Sequence, residues 1–221
     1  MEKDLKEWII LYAVLAVIAI GLAGCSSAYY KTMEAFGYHK RDLLVERVEE
    51  ARDAQEDAKE QFQSALEKFS SVVNFGGGEL EERYKELKAE FDSSEVKANA
   101  VRKRIKAVED VSEALFKEWE NELGEYTNDR LRRLSESKLN QTRQSYSQLI
   151  GAMKRAESKI EPVLSAFRDQ VLFLKHNLNA QAVASLREEM VSVEADISSL
   201  IKEMEASITE ADEFINAMTQ Q

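Results

Sequence analysis

From Leu44 to Met218, apolar side chains recur at alternating steps of three and four residues, and only three short stretches break the pattern. The first run steps through Leu44, Val48, Ala51, Gln55, Ala58, Phe62, Ala65, Phe69 and Val72. The second passes from Leu80, Tyr84, Leu87, Phe91 and Ser94 through Ala98, Val101, Ile105, Val108 and Ser112 to Leu115 and Trp119. The third carries Leu131, Leu139, Thr142, Leu149, Met153, Ala156, Ile160, Val163, Phe167, Val171 and Leu174. In the fourth lie Ala182, Leu186, Met190, Val193, Ile197, Leu200, Met204, Ile208, Ala211, Ile215 and Met218. Side chains at this period share one face of a helix, and that face must be buried against other helices. Breakers are correspondingly scarce. The chain holds one proline and eight glycines, where average usage would give about eleven and fifteen.

The interruptions are turns. "NFGGGE" (74–79) ends the first run, because three consecutive glycines cost roughly 1 kcal/mol each inside a helix. "LGEYTND" (123–129) ends the second and offers Thr127 or Asn128 as the next N-cap. "HNLNAQ" (176–181) makes the last turn. Pro162 falls inside the third run, where the missing donor and the crowded ring predict a kink or a split. Helices of ~40–48 residues span ~60–70 Å, and short turns make successive ones antiparallel neighbours. The fold expected is an all-α, up-down-up-down four-helix bundle of coiled-coil type, its third helix kinked at Pro162.

Charge supports that topology. Folding the first pair about Gly76 sets residue i opposite roughly 152 − i, so "RKRIK" (102–106) faces "ERVEE" (46–50). The third helix region, 129–178, holds ten basic and five acidic residues, whereas 179–221 holds two and nine. Neighbours of opposite charge suit the pairing, although each exposed pair stabilises by only ~0–1 kcal/mol. A formal charge of −11 argues against nucleic acid, which needs a basic surface.

Catalytic patterns do not emerge. The chain has one cysteine and two histidines, His39 and His176, which the bundle sets at opposite ends. The residues three before them are Phe36 and Phe173, so the ExxH pairs of di-iron bundles are missing. HExxH, GxSxG, GxGxxG and P-loop patterns are absent too. The expectation is a non-enzyme with no cofactor and no metal site.

The N-terminus speaks to location. Trp8 to Gly24 is a 17-residue run without a charge, ending in "LAGC" at the only cysteine, Cys25. The run is marginal for a membrane span of ~20 residues and slightly long for a signal core of ~7–15. "LAGC" resembles the lipobox of bacterial lipoproteins, which implies cleavage before Cys25 and lipidation of its thiol. The nearly neutral "MEKDLKE" departs from the positive start of signal peptides, so an uncleaved inner-membrane anchor at residues 8–24 is the alternative. Ser26 and Ser27 follow the cysteine; in the lipoproteins it resembles, lack of aspartate there favours the periplasmic face of the outer membrane. Three parts are expected: a signal peptide (1–24), a lipidated tether (25–38) and one helical bundle (39–221). Tyr29, Tyr30, Phe36 and Tyr38 in the tether suit either a membrane interface or the base of the bundle.

Antiparallel geometry also brings two turns to the end far from the anchor. There Phe75 on the flexible Gly76, Gly77 and Gly78, beside His176, Asn177 and Asn179, forms a candidate tip for docking a protein partner of unknown identity; Phe75 plugging the bundle end is the other reading. Heptad seams admit self-association as well. Two blocks, "YYKTMEAFGYHKRDLLVERVEEARDAQEDAKEQF" and "LKHNLNAQAVASL", resemble a family of Gram-negative envelope lipoproteins known as domain-of-unknown-function family 2959. That resemblance implies a helical envelope lipoprotein without an assigned activity. The function expected is a lipid-anchored periplasmic spacer, scaffold or interaction protein. The alternative is a periplasmic ligand-binding sensory bundle, motivated by the polar breaks at Gln55, Ser94, Ser112 and Thr142; those breaks serve equally as register-setting residues.

Overall fold

A computed structural model describes residues 39–74 and 80–220. Cys25, the rest of the N-terminal stretch, and Phe75 to Gly78 lie outside the described residues. The chain divides into two compact units after Leu43, within the first helix, and the bundle is the unit that begins at Leu44.

Four helices make up nearly all of the described chain: α1 (Lys40–Val73), α2 (Leu80–Leu123), α3 (Asp129–His176) and α4 (Ala180–Thr219). They pack as an antiparallel four-helix bundle. Between α1 and α2, Glu50 meets Arg104 at 2.8 Å, Asp57 meets Lys97, Gln61 donates to Glu90 at 2.6 Å and Lys68 meets Glu86 at 3.4 Å. Every one of these pairs falls within two residues of the register expected from a fold about Gly76. Glu95–Arg168, Arg102–Glu161 and Glu109–Lys154 tie α2 to α3, and Arg155–Glu203 at 3.5 Å joins α3 to α4. Arg52–Asp212 at 3.0 Å closes the ring by joining α4 to α1.

The expected meeting of "RKRIK" with "ERVEE" holds for one pair only. Arg104 reaches Glu50, but Arg102 turns to Glu161 of α3 and Lys106 bonds Asp110 on its own helix. A run of five residues covers more than a full turn, so its side chains point to several neighbours.

Burial follows the seams closely. All nine seam residues of α1 are buried, including Gln55. The edge-on contact of Phe69 with Phe167, centroids 6.2 Å apart, crosses the core between α1 and α3. On α4, Ser207 takes an inward place that the apolar pattern passes over, while Ile208 is half-buried. Pro162 is exposed on α3 and does not split it: the helix runs 48 residues through the proline.

Leu80, Tyr84, Trp119, Met190 and Ile208 are half-buried, and one seam residue is exposed outright. Leu131, expected inward, is 51% exposed. No side chain from Lys117 to Lys138 is buried, whereas Leu115, Phe116 and Leu139 are. The α2–α3 hairpin therefore runs past the four-helix core, and Leu131 lies on the part that extends beyond the described ends of α1 and α4. Trp119 Nε1 donates to Ser135 Oγ at 2.7 Å and holds the two arms together. Asn128, rather than Thr127, caps α3: its Oδ1 accepts from the amides of Arg130 and Leu131 at 3.0 and 3.2 Å.

Candidate functional site

The far end of the bundle is built from the close of α1 and the α3–α4 turn. Arg187 on α4 brings them together. Its Nη2 and Nε donate to the carbonyl of Val73 at 2.7 and 3.2 Å, satisfying one of the last carbonyls of α1 with a cation placed at the negative end of its dipole. The close of α1 and the start of α4 thus share an end of the bundle, through a contact that no local pattern announces.

His176 ends α3 and is exposed. Asn177 is the C-cap: its backbone N–H donates to Leu174 and its Nδ2 donates to the Phe173 carbonyl at 2.9 Å. Asn179 is the N-cap of α4, with Oδ1 accepting from the Ala182 amide at 3.0 Å. Both asparagines thus stabilise helix ends, by roughly 1 kcal/mol for a typical N-cap. Leu172, Phe173 and Leu178 around this turn are exposed apolar residues. They lie off the heptad and so escape the seam pattern; an off-seam "LF" before a helix stop is the signal that marks them. Phe75 and its glycines, the other half of the expected tip, lie outside the described residues.

The polar breaks of the seams divide into two kinds. Ser94 and Ser112 each return a hydrogen bond to their own helix, to the carbonyls of Glu90 and Glu109 at 2.8 Å. Gln55, fully buried, has neither amide atom bonded, and the hydroxyls of Thr142 and Ser207 are likewise unpaired. Beside Ser112, burial pushes the half-buried Tyr146 phenol above its usual value, and a hydrogen bond with Ser112 partly offsets this.

An open groove of about 410 Å³ lies between α1 and α2, lined by Glu50, Asp53, Ala54, Asp57, Val96, Lys97, Ala100 and Arg104. Alanines on both helices leave the space, and the Glu50–Arg104 and Asp57–Lys97 pairs cross it. None of the polar seam residues lines it. Among the described residues no cluster of three or more His, Cys, Asp or Glu is placed to hold a metal, and no helix is long and apolar enough to cross a membrane.

Residues 29–218 match the model of a family described as a protein of unknown function, DUF2959, and the chain belongs to that family. No curated protein and no solved structure matches it.

Proposed function

We propose that this member of the DUF2959 family is a lipid-anchored spacer or scaffold of the bacterial envelope, tethered through Cys25 and working by contact rather than catalysis. The observation that carries the reading is the build of the bundle. Its longest helix has 48 residues, about 72 Å at 1.5 Å per residue, and at least one ion pair bridges each of the four helix–helix seams. A rod of that length separates two ends. The "LAGC" sequence supplies a means of fixing one end, and the exposed apolar rim of Leu172, Phe173 and Leu178 with the neighbouring turns supplies a surface for a protein partner at the other. In this reading the bundle stands on the periplasmic face of the outer membrane, and an inner-membrane anchor at residues 8–24 is the competing placement.

The second reading, a ligand-binding sensory bundle, draws on one observation. Gln55, Thr142 and Ser207 are buried polar groups without partners, and such groups cost stability unless something satisfies them.

Metabolic labelling with palmitate tests the anchor. The wild-type chain is expected to take up label and the Cys25→Ser variant to lose it and accumulate as precursor. Equal labelling of the two would sink the anchored-spacer reading.

A further inference from the structure

The hairpin that runs past the core is an exposed pair of helices without a core of its own. Helices in proteins draw most of their stability from packing an apolar face, yet from Lys117 to Lys138 nothing is buried. Leu131 and Leu134, one turn apart on α3, are 51% and 53% exposed, and Tyr126 at the turn is 41% exposed. Three large apolar side chains exposed between residues 126 and 134 suit a contact site.

Its charges say what would cover it. The α2 arm, 117–125, carries one lysine and four glutamates; the α3 arm, 129–138, carries four basic and two acidic residues. Part of this charge is neutralised at home. Arg143 holds Glu120 at 2.6 Å, and Arg132 lies 3.8 and 3.9 Å from Asp129 and Glu136. Glu122 and Glu125 on one arm, and Arg130 and Arg133 on the other, make no ion pair among the described residues. A surface with unspent acid on one arm and unspent base on the other is complementary to itself when turned by a two-fold axis. An anionic bilayer fits less well, because Glu122, Glu125 and Asp129 cluster at the hairpin tip.

We propose that the α2–α3 hairpin docks on the same hairpin of a second copy, pairing acidic arm with basic arm around Leu131, Leu134 and Tyr126. Two such hairpins make a short antiparallel four-helix bundle that covers these exposed side chains. The inference does not depend on the lipid anchor; a failed palmitate labelling leaves it standing.

The test is site-specific photo-crosslinking of the full chain in intact cells, with benzoylphenylalanine placed at Leu134 or Tyr126. The expected product is an adduct of two copies, identified by mass spectrometry, while the same probe at the exposed Val191 on α4 yields none. Reversing one arm (Arg130→Glu with Arg133→Glu) turns attraction into repulsion at symmetry-doubled contacts and should reduce the adduct about tenfold or more. Adding Glu122→Arg and Glu125→Arg in the same chain should restore it. These positions lie outside the core, so thermal unfolding of the body should hardly change; a variant that fails to fold is still read through the restored one. Adducts within one chain, with lipid or with another protein, or a two-copy adduct indifferent to the charge reversal, would overturn the proposal.

Discussion

Replacing Gln55 by methionine should make the protein more stable. The side chain is fully buried on α1 and both amide atoms lack a partner. An unsatisfied buried polar group costs about 1–3 kcal/mol. Methionine keeps the length and nearly the volume of glutamine, and volume-conserving swaps disturb a core little. The two residues also have similar helix propensity, so the backbone contributes almost nothing to the difference. The expected gain is therefore about 1–3 kcal/mol, a rise in melting temperature of about 2–12 °C for a chain of this size. Urea titration followed by circular dichroism provides the assay. The midpoint should move up while the slope stays constant, which assigns the change to stability rather than to a different unfolded state. A neighbouring variant adds a second constraint. Arg52–Asp212 and Arg187–Val73 fix the α1–α4 register and place Gln55 opposite the stretch containing Ser207, whose hydroxyl is also unpaired. If the two groups are independent, Gln55→Met and Ser207→Ala add. A Gln55→Met protein less stable than wild type, or a coupling above about 0.5 kcal/mol between the two changes, would refute the reasoning and show that these residues satisfy one another.

Cysteines at 62 and 91, with Cys25 replaced, should crosslink within one chain, since both native side chains are buried on α1 and α2 near the Gln61–Glu90 bond; crosslinks only between chains would replace the bundle with an intermolecular coiled coil. Pro162→Ala should raise the melting temperature, because the proline is exposed within α3 and a proline in a helix interior costs about 3 kcal/mol; calorimetry showing a fall would mean the proline's geometry is needed for packing. The hydrogen bond from Arg143 holds the Glu120 carboxyl below its ordinary value. Because the folded value is the depressed one, the stabilisation is present at neutral pH and lost as pH falls through it. An NMR titration should find the Glu120 value higher in Arg143→Gln than in wild type, and an unchanged value would dissociate the pair.

The heptads made the helices legible because period, turn composition and scarce breakers all pointed one way. What they could not carry was where each seam finds a partner. Leu131 shows this well: its spacing says which face of α3 it occupies, but its exposure depends on how far α1 and α4 extend alongside, a comparison among four separate segments. Ser207 escaped for the converse reason, since a hydroxyl on the inward face reads as a gap in an apolar pattern. At the far end, His176, Asn177 and Asn179 were recognisable as a turn, and the two asparagines prove to be caps. Arg187 was not recognisable, because its partner is a backbone carbonyl 114 positions away and carbonyls carry no sequence signature. The orphaned amide of Gln55 could be seen as a polar break, but whether a neighbour satisfies it is decided only by packing.

The antiparallel contact of α1 with α4 has a practical corollary. With an even number of helices, the bundle brings Met218 back to the end from which Leu44 sets out, so a reporter or affinity handle fused after Gln221 samples that end alone. The α3–α4 turn faces the opposite direction, and it is internal. Any object gripped there must be held by segments tied to a helix on either side. An insertion at the α3–α4 turn is accordingly a way to display a tag at the remote end, while a fusion after α4 will crowd the α2–α3 hairpin.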